Sequence, residues 1–327
     1  MEYKFVAPLY NIKISSPLNR GKIITNNMRI TNSKENFLKI FNQDSGLEQF
    51  IGVLEFDNLT KSTYIVATGD YDMLYKSYES HKIEKNNYYY IANALMRRIQ
   101  TFCNILWFIK DNSVHTEQGF IVIGTDTYAP IATSTGTAFS YVNAKGAYED
   151  VTFTLDEIAL AIENYNKLAP SDSESLNIGE RIIPDVYNNK STRVERATQF
   201  LQAARREYSV PVKIMNYCTV LECLFTRDNS ELTHKISERF AKIMGGNLED
   251  RMTYYNLIKK AYTIRSLVIH GQPISHKKLL EANELAIEFD NAIRILFNKL
   301  FFDEEIVDFF DQTDDELDKS FLKLVLE

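Results

Sequence analysis

The chain has 327 residues, enough for two domains, and its 45% hydrophobic and 25% charged residues are ordinary for a globular protein. Its net charge of −7 argues against indiscriminate nucleic-acid binding. No run of about 18 apolar residues occurs, which argues against a membrane span. Three cysteines without a CxxC pair, and a first segment unlike a secretory signal, predict reduced thiols and a cytoplasmic location.

The first half of the chain is predicted to be rich in strands. Segments with many Ile, Val, Tyr and Phe residues alternate with Asn, Gly and Pro, as expected for strands and turns. The predicted strands cover residues 3–14, 22–30, 52–56, 63–68, 119–124 and 137–142. Between them, residues 86–109 follow a helical period. We therefore predict a strand-rich N-terminal domain with one long helix over residues 1–153.

The pattern becomes helical from Thr154 onward. Thr154 with Glu157, and Thr192 with Glu195, have the spacing of capping boxes, which mark helix starts. Residues 154–327 are thus predicted to form a second, all-helical domain whose core spans about residues 190–300. The fold class that follows is α+β.

One helix in this region places a cation on its apolar side. Its apolar positions follow a helical period and include Tyr254, Leu257, Ile258, Ala261, Ile264 and Val268. Arg265 falls inside this stripe, where a guanidinium costs free energy unless a carboxylate or phosphate meets it. His270 lies about 140° further round the helix, and Gly271 supplies a left-handed stop. A site that uses both side chains is therefore predicted to need a second helix or a second subunit.

Arg265 and His270 are the pair of residue types that metal-independent RNA cleavage needs. A histidine has its pKa near neutrality and could move protons at the ribose 2′-hydroxyl or the leaving oxygen. An arginine could neutralise charge on the phosphorane. The alternative is structural, with Arg265 in a buried salt bridge and His270 capping carbonyl groups. The five histidines lack metal-ligand spacing, so neither a metal nor a cofactor is expected.

Three segments around this helix resemble the core blocks of the ApeA-like HEPN domains. They are Asn216–Phe225 with an LExLF pattern, Glu231–Ala241 with LxxKIxxRxA, and Tyr262–Gly271 with YxxRSxxxHG. The resemblance covers the C-terminal third, roughly residues 190–300. It implies a helical bundle that dimerises and joins two RxxxxH motifs into one ribonuclease site, often in defence against phages or in toxins.

The resemblance also assigns roles to individual residues. Arg265 and His270 take the catalytic positions, while Glu222 and Arg239 match the glutamate and arginine of the first two blocks. Ser266 stands where many active HEPN nucleases have Asn, Asp or His, although serine also occurs in the ApeA-like group. Glu222 could orient Arg265 or form a purely structural ion pair, and Arg239 could equally belong to a salt bridge on the bundle.

The sequence thus leads to one principal function and one rival. The principal expectation is a metal-independent endoribonuclease with a dimeric active site, leaving a 2′,3′-cyclic phosphate and a 5′-hydroxyl. Its partners would be RNA, a second copy of the chain, and a phage-derived or antitoxin protein. The rival is a non-catalytic HEPN module that binds RNA or protein, which Ser266 and the acidic net charge favour.

Charge is unevenly distributed over the second half of the chain. Residues 181–270 carry 15 Lys and Arg against 9 Asp and Glu, whereas residues 301–327 carry 2 against 10. The acidic end could restrict access of RNA to the basic helices. The alternatives are that both segments are solvated faces, or that Phe309, Phe310, Phe321, Leu322 and Leu324 make the end part of the core.

Overall fold

A computed structural model of the chain describes residues 1–78, 84–124, 130–137, 140–168, 191–227 and 231–326. The chain divides into two compact units. The first consists of Met1–Ser140 and Glu149–Ile183, and the second of Tyr141–Tyr148 and Pro184–Glu327. The first contains an antiparallel sheet and the second is built on helices, so the α+β class is confirmed.

The first unit is organised around a six-stranded sheet with the order β3-β4-β5-β1-β6-β7. All its neighbouring strands pair antiparallel, and β1 pairs with β5 through eight residues, from Glu2 opposite Asp70 to Leu9 opposite Thr63. A separate two-stranded parallel sheet joins β2 to β8. The strands are β1 (Glu2–Leu9), β2 (Ile12–Ile14), β3 (Lys22–Thr25), β4 (Met28–Thr31), β5 (Thr63–Asp70), β6 (Gln118–Ile123), β7 (Ile131–Gly136) and β8 (Val151–Phe153).

Helices pack on both faces of this sheet. They are α1 (Lys34–Ile40), α2 (Leu47–Ile51), α3 (Val53–Lys61), α4 (Tyr71–Lys76), α5 (Tyr88–Ile109) and α6 (Leu155–Leu168), with a short 3-10 helix at Gln43–Ser45. One face carries a core in which Phe37, Leu47 and Leu59 meet Val6 and Phe120 of the strands. Helix α5 covers the opposite face, where Asn93 accepts a hydrogen bond from Thr135 of β7 at 2.6 Å.

Two strand predictions in the first half of the chain were wrong. Residues 53–56 form the start of α3 and Gly52 is its N-cap residue, because Leu59 and the partly buried Phe56 pack as one face of a helix on the sheet. A short apolar run cannot distinguish a strand from a helix by periodicity alone. In residues 137–142, the described positions lie outside any strand, while positions 138 and 139 lie outside the described residues. The edge strand is instead β7. Its sequence, Ile-Ala-Thr-Ser-Thr-Gly, contains only one large apolar residue, so the pattern did not indicate a strand there.

Helix α6 belongs to the first unit, so the unit boundary differs from the boundary expected after residue 153. Its Glu157 forms an ion pair with Lys110 at 2.6 Å, and the Tyr165 ring meets Phe102 of α5 edge-on. The capping box of Thr154 and Glu157 is present, as predicted. The amphipathic pattern of α6 shows that one face is buried, but not which core buries it.

The second unit is a group of helices around α8. They are α7 (Arg193–Arg206), α8 (Val210–Phe225), α9 (Leu232–Met244), α10 (Leu248–Ile269), α11 (His276–Phe302), α12 (Glu304–Phe310) and α13 (Asp314–Leu326). Helix α8 contacts α7, α9, α10 and α11, and its Tyr217, Val220, Leu221 and Leu224 are fully buried. The Thr192 and Glu195 capping box opens α7, as predicted.

Among the helices that the structure describes, none combines the length and the apolar character that crossing a membrane requires.

Candidate active site

Helix α10 ends in a structure that fixes where His270 lies. The N–H of Gly271 donates to the carbonyl of Val268 at 3.0 Å, and the N–H of Gln272 donates to Leu267 at 2.9 Å. Gly271 has a φ of +60°, in the left-handed region that glycine adopts without strain. These two bonds form a Schellman motif, with His270 as the C-cap residue. The predicted left-handed stop at Gly271 is therefore confirmed.

Arg265 lies on the side of α10 that faces α8, where it meets Glu222. Its Nη2 donates to Oε2 of Glu222 at 3.1 Å. Its Nε lies 2.8 Å from Oε1, although the direction of that N–H does not make a hydrogen bond. The side chains are 23% and 20% exposed, respectively, so the pair is partly desolvated. The carboxylate that the apolar stripe required is thus Glu222.

Tyr262 completes this cluster from one turn earlier on α10. Its hydroxyl donates to Oε1 of Glu222 at 3.1 Å, and the guanidinium carbon of Arg265 lies 5.5 Å from the centre of its ring. Burial, with added repulsion from the negative charge of Glu222, raises the pKa of the Tyr262 hydroxyl far above its usual value of 10.0. The hydroxyl therefore keeps its proton and remains a donor to the carboxylate at any physiological pH.

Cys218 lies one turn before Glu222 on α8 and is fully buried. Burial raises the pKa of its thiol well above 9.0, and the negative charge of Glu222 adds to this effect. The nucleophilic form of a cysteine is the thiolate, which this environment disfavours. Cys218 therefore serves as a packing residue beside the Glu222–Arg265 pair.

His270 and Ser266 occupy a different, exposed side of α10. Both residues are exposed, and the N–H of His270 donates to the carbonyl of Ser266 at 3.1 Å. Within the described ranges, the imidazole of His270 forms no hydrogen bond or ion pair, and in particular none with Arg265. The step of five positions from Arg265 to His270 advances the helix by roughly 7–8 Å along its axis. One copy of α10 therefore presents a fixed guanidinium and a free imidazole on different sides.

Arg239 of α9 contacts the C-terminal end of α8. Its Nη1 donates a short hydrogen bond to the carbonyl of Phe225, and its guanidinium carbon lies 4.6 Å from the centre of the Phe321 ring. These contacts attach α13 to the bundle. They support the structural interpretation of Arg239 that the sequence left open.

The structure contains a second buried polar cluster that was not predicted from the sequence. Asp290 of α11, 2% exposed, accepts from the Tyr217 hydroxyl at 2.5 Å and from Arg294 at 2.7 Å. Lys213 is fully buried one turn before Tyr217 and donates to the carbonyl of Ala204 at 2.8 Å. The signal was available, because Asp290 interrupts the apolar stripe of Ala286, Phe289, Ile293 and Phe297 as Arg265 interrupts that of α10. Full burial and saturation by neighbours indicate a structural role.

Carboxylates at the acidic end of the chain form ion pairs with arginine side chains. Asp314 lies 2.6 Å from Nε of Arg193, and Arg227 lies within 2.8–3.7 Å of Asp314, Asp315 and Asp318. Leu317 and Phe321 are buried, whereas Leu322 is 60% exposed. Helix α13 is therefore a packed part of the bundle, and its carboxylates neutralise part of the basic segment.

The chain was compared with protein-family models, with curated proteins and with solved structures, and none matches. In the part of the chain that the structure describes, no three His, Cys, Asp or Glu side chains are grouped as ligands of a metal ion.

Proposed function

We propose that this protein is a metal-independent endoribonuclease of the HEPN type, with its active site formed between two copies of the chain. The observation that carries the proposal is the contrast between Arg265, which is fixed by Glu222, and His270, which is free and exposed at the capped end of the same helix. A catalytic cation gains from being held in place before the substrate arrives. A proton-transfer group must instead be able to reach the substrate.

The reaction follows from these two groups. The ribose 2′-oxygen attacks the adjacent phosphorus while His270 removes its proton, and the bond from phosphorus to the 5′-oxygen breaks. The 5′-oxygen leaves with a proton taken from solvent water, giving a 2′,3′-cyclic phosphate and a 5′-hydroxyl. Arg265 retains N–H donors beyond the one that binds Glu222, and these neutralise charge on the phosphorane.

The proposal also includes dimer formation and a cellular role. Because one α10 presents Arg265 and His270 on different sides, a two-fold dimer is needed to bring Arg265 of one copy towards the partner's His270. The free cysteines suit the reducing cytoplasm. There the protein would act as a defence or toxin effector, controlled by a phage-derived or antitoxin protein.

A second candidate function is a non-catalytic HEPN module that binds RNA or protein. It is favoured by the Glu222–Arg265 ion pair, which satisfies the guanidinium inside the fold without a phosphate. Ser266 and the net charge of −7 point the same way.

The test is cleavage of labelled single-stranded RNA in EDTA by wild-type protein and by His270→Ala. His276→Ala is the matched control, because His276 is also exposed and lies at the start of the next helix. We expect the wild type and the control to leave cyclic phosphate ends and His270→Ala to be inactive while folded. Equal cleavage by all three proteins would exclude His270 as the catalytic group, and no cleavage by a wild type that still binds RNA would favour the non-catalytic candidate.

A further inference from the structure

His270 lies at one end of a continuous exposed face of α10. Residues spaced alternately four and three positions apart, counted back from His270, stay within roughly 40° of its direction on a helix. All of these residues are exposed, and Arg265 is not among them. We call this face the α10 ridge, and it consists of Met252, Asn256, Lys259, Thr263, Ser266 and His270. The ridge is about 27 Å long.

The ridge carries side chains that bind phosphate and none that repels it. The segment 251–280 contains six Lys and Arg residues and no Asp or Glu, although the whole chain has a net charge of −7. On the ridge itself, Lys259 provides a cation, and Asn256 and Ser266 provide an amide and a hydroxyl. Side chains of these types contact the phosphate and sugar oxygens of nucleic acids without reading the bases.

Three lysines on or beside the ridge have no carboxylate partner. Lys260 and Lys278 line a groove between α10 and α11, which Thr263 of the ridge also lines. Within the described ranges, the ammonium groups of Lys259, Lys260 and Lys278 form no ion pair and no hydrogen bond. Lys259 lies 5.6 Å from the centre of the Tyr255 ring. The charge of all three lysines is therefore available to an anionic ligand.

Carboxylates limit where such a ligand can lie on the α11 side and at the start of α10. Glu281, Glu284 and Glu288 line the α11 wall of the same groove. Glu249 and Asp250 occupy the first turn of α10, just before the ridge begins. A polyanion is repelled from both places. The path that remains runs along the ridge and ends at His270.

The α9 side of the ridge has a carboxylate as well. His234 of α9 lies beside Tyr255 of α10, with Nδ1 3.0 Å from the tyrosine hydroxyl. Glu238, one turn after His234, is on the same side of α9 and partly exposed. The ridge is thus a basic strip with carboxylates on both flanks.

We infer that the α10 ridge, with Lys260 and Lys278 beside it, binds the phosphates of a single RNA strand that leads to His270. The inference rests on the proposed function and adds to it a surface that holds the strand on one side of the cleaved bond. A length of about 27 Å accommodates roughly eight nucleotides at the stacked spacing of about 3.4 Å. Binding would be independent of base sequence and weak for short strands.

An acidic protein segment is the other ligand that this charge would suit. The position of His270 at the end of the ridge favours RNA, because a proton-transfer group acts only on a ligand with a proton to transfer, such as the ribose 2′-hydroxyl. The amide and hydroxyl groups along the ridge also suit a ligand with oxygen atoms at every repeat.

The experiment measures binding to the full chain by fluorescence anisotropy over a range of salt concentrations. The probes are labelled 2′-O-methyl RNA strands, a dodecamer and a tetramer, whose blocked 2′-oxygen prevents cleavage, and a glutamate dodecapeptide. The ridge variant combines Lys259→Gln, Lys260→Gln and Lys278→Gln, all at exposed positions. The control variant loses the same charge at three exposed lysines of the first unit, Lys34→Gln, Lys39→Gln and Lys76→Gln. Cleavage of unmodified RNA is measured in parallel.

We expect the wild type to bind the RNA dodecamer more tightly than the tetramer or the peptide. The ridge variant should bind the dodecamer about tenfold or more weakly at low salt. The slope of log affinity against log salt should become shallower by about 2, since each phosphate contact of a single strand contributes roughly 0.7. The control variant should match the wild type. In cleavage, the ridge variant should show a raised KM with little change in kcat.

Equal affinity and equal salt slope in the two variants would overturn the inference, even if the wild type cleaves RNA. Absence of dodecamer binding, equal binding of tetramer and dodecamer, or tighter binding of the peptide would overturn it too. Binding that depends on the ridge lysines without any cleavage of unmodified RNA would uphold the binding surface and count against the proposed function.

Discussion

The guanidinium of Arg265 on α10 is tied to the carboxylate of Glu222 on α8, with Nη2 3.1 Å from Oε2 and Nε 2.8 Å from Oε1. The Tyr262 hydroxyl binds the same carboxylate. A cation inside an apolar stripe is thereby made compatible with the fold and also held in one orientation. Loss of the carboxylate should therefore affect both stability and, under the proposed function, catalysis.

Glu222→Gln should reduce both properties. The substitution keeps the shape but removes the negative charge opposite a guanidinium that is about three-quarters buried. We expect the free energy of unfolding to fall by about 1–2 kcal/mol, which is less than the roughly 3–5 kcal/mol lost when a fully buried pair is broken, because water still reaches both side chains. Tyr262→Phe should cost about 1 kcal/mol, since one hydrogen bond is lost. Urea denaturation measures both effects.

The same two variants separate a positioning role from a merely structural one. If Glu222 and Tyr262 position Arg265, kcat for RNA cleavage should fall in both variants while KM changes little. Glu288→Gln is the control, because Glu288 is exposed on α11. A Glu222→Gln protein as stable and as active as this control would contradict the prediction.

The ion pair of Asp314 with Arg193 should make stability depend on pH at acid values. The hydrogen bond from Arg193 holds the pKa of Asp314 below its ordinary value of 3.8. A carboxylate whose pKa is lower in the folded state stabilises the fold fully above 3.8, and this contribution disappears as the pH falls through the folded pKa. Asp314→Asn should therefore be less stable than the wild type at pH 7, with the difference vanishing in strong acid.

The size of this effect is limited by solvent. Because Asp314 is half-exposed, we expect a difference of about 1 kcal/mol at neutral pH, decreasing with added salt. Thermal unfolding between pH 7 and the acid limit measures it. Asp308→Asn, at an exposed position on α12, is the control. A difference that grew as the pH fell would contradict the expected direction of the pH dependence.

We expect helix α13 to behave as part of the core and not as a detachable segment that controls access of RNA. Phe321 is fully buried against Phe225, Phe309, Phe310 and the guanidinium of Arg239. Phe321→Ala should lower the free energy of unfolding by about 3–5 kcal/mol. Leu322→Ala, one position on but 60% exposed, should cost far less. Denaturant unfolding of the two variants measures the contrast.

The hypothesis that the acidic end restricts access of RNA to the basic helices is tested separately, with a variant that keeps these apolar contacts. Asp315→Asn and Asp318→Asn together remove two carboxylates from exposed or partly exposed positions. If the acidic end repels RNA, this double variant should bind single-stranded RNA more tightly and with a steeper dependence on salt. Unchanged affinity would leave α13 with a structural role alone.

The parts of the candidate site that could be predicted from the sequence are those determined by the residues of a single helix and its ends. The end of α10 follows from Gly271, because few other residues accept its backbone conformation. A charged partner for Arg265 follows from its place in an apolar stripe, and the structure supplies Glu222. The same rule applied to α11 would have found Asp290 with Tyr217 and Arg294.

Features that depend on packing between distant segments could not be predicted. The run at residues 52–56 is apolar in either conformation, and only the core around Phe37 and Leu59 decides for helix α3. Helix α6 has an apolar face, but the sequence does not say that α5 covers it. The edge position of β7 depends on the strand order, which its own six residues do not specify.

Two inactive variants should restore activity to each other if the active site is shared between two subunits. Arg265→Gln removes the cation but leaves an amide donor for Glu222, and His270→Ala removes an exposed imidazole. In a mixed dimer, one of the two composite sites combines the intact Arg265 of one copy with the intact His270 of its partner. Random exchange makes half of the dimers mixed, so we expect about a quarter of the wild-type activity to return.

The measurement is RNA cleavage in EDTA after the two variants are mixed, dissociated and reassociated, with light scattering to follow assembly. Each variant exchanged with itself is the baseline, and each exchanged with wild-type protein shows that subunits do exchange. A site contained within one chain predicts no recovery, because neither copy has both residues. A protein that is monomeric and yet cleaves RNA through Arg265 and His270 would contradict the shared site directly.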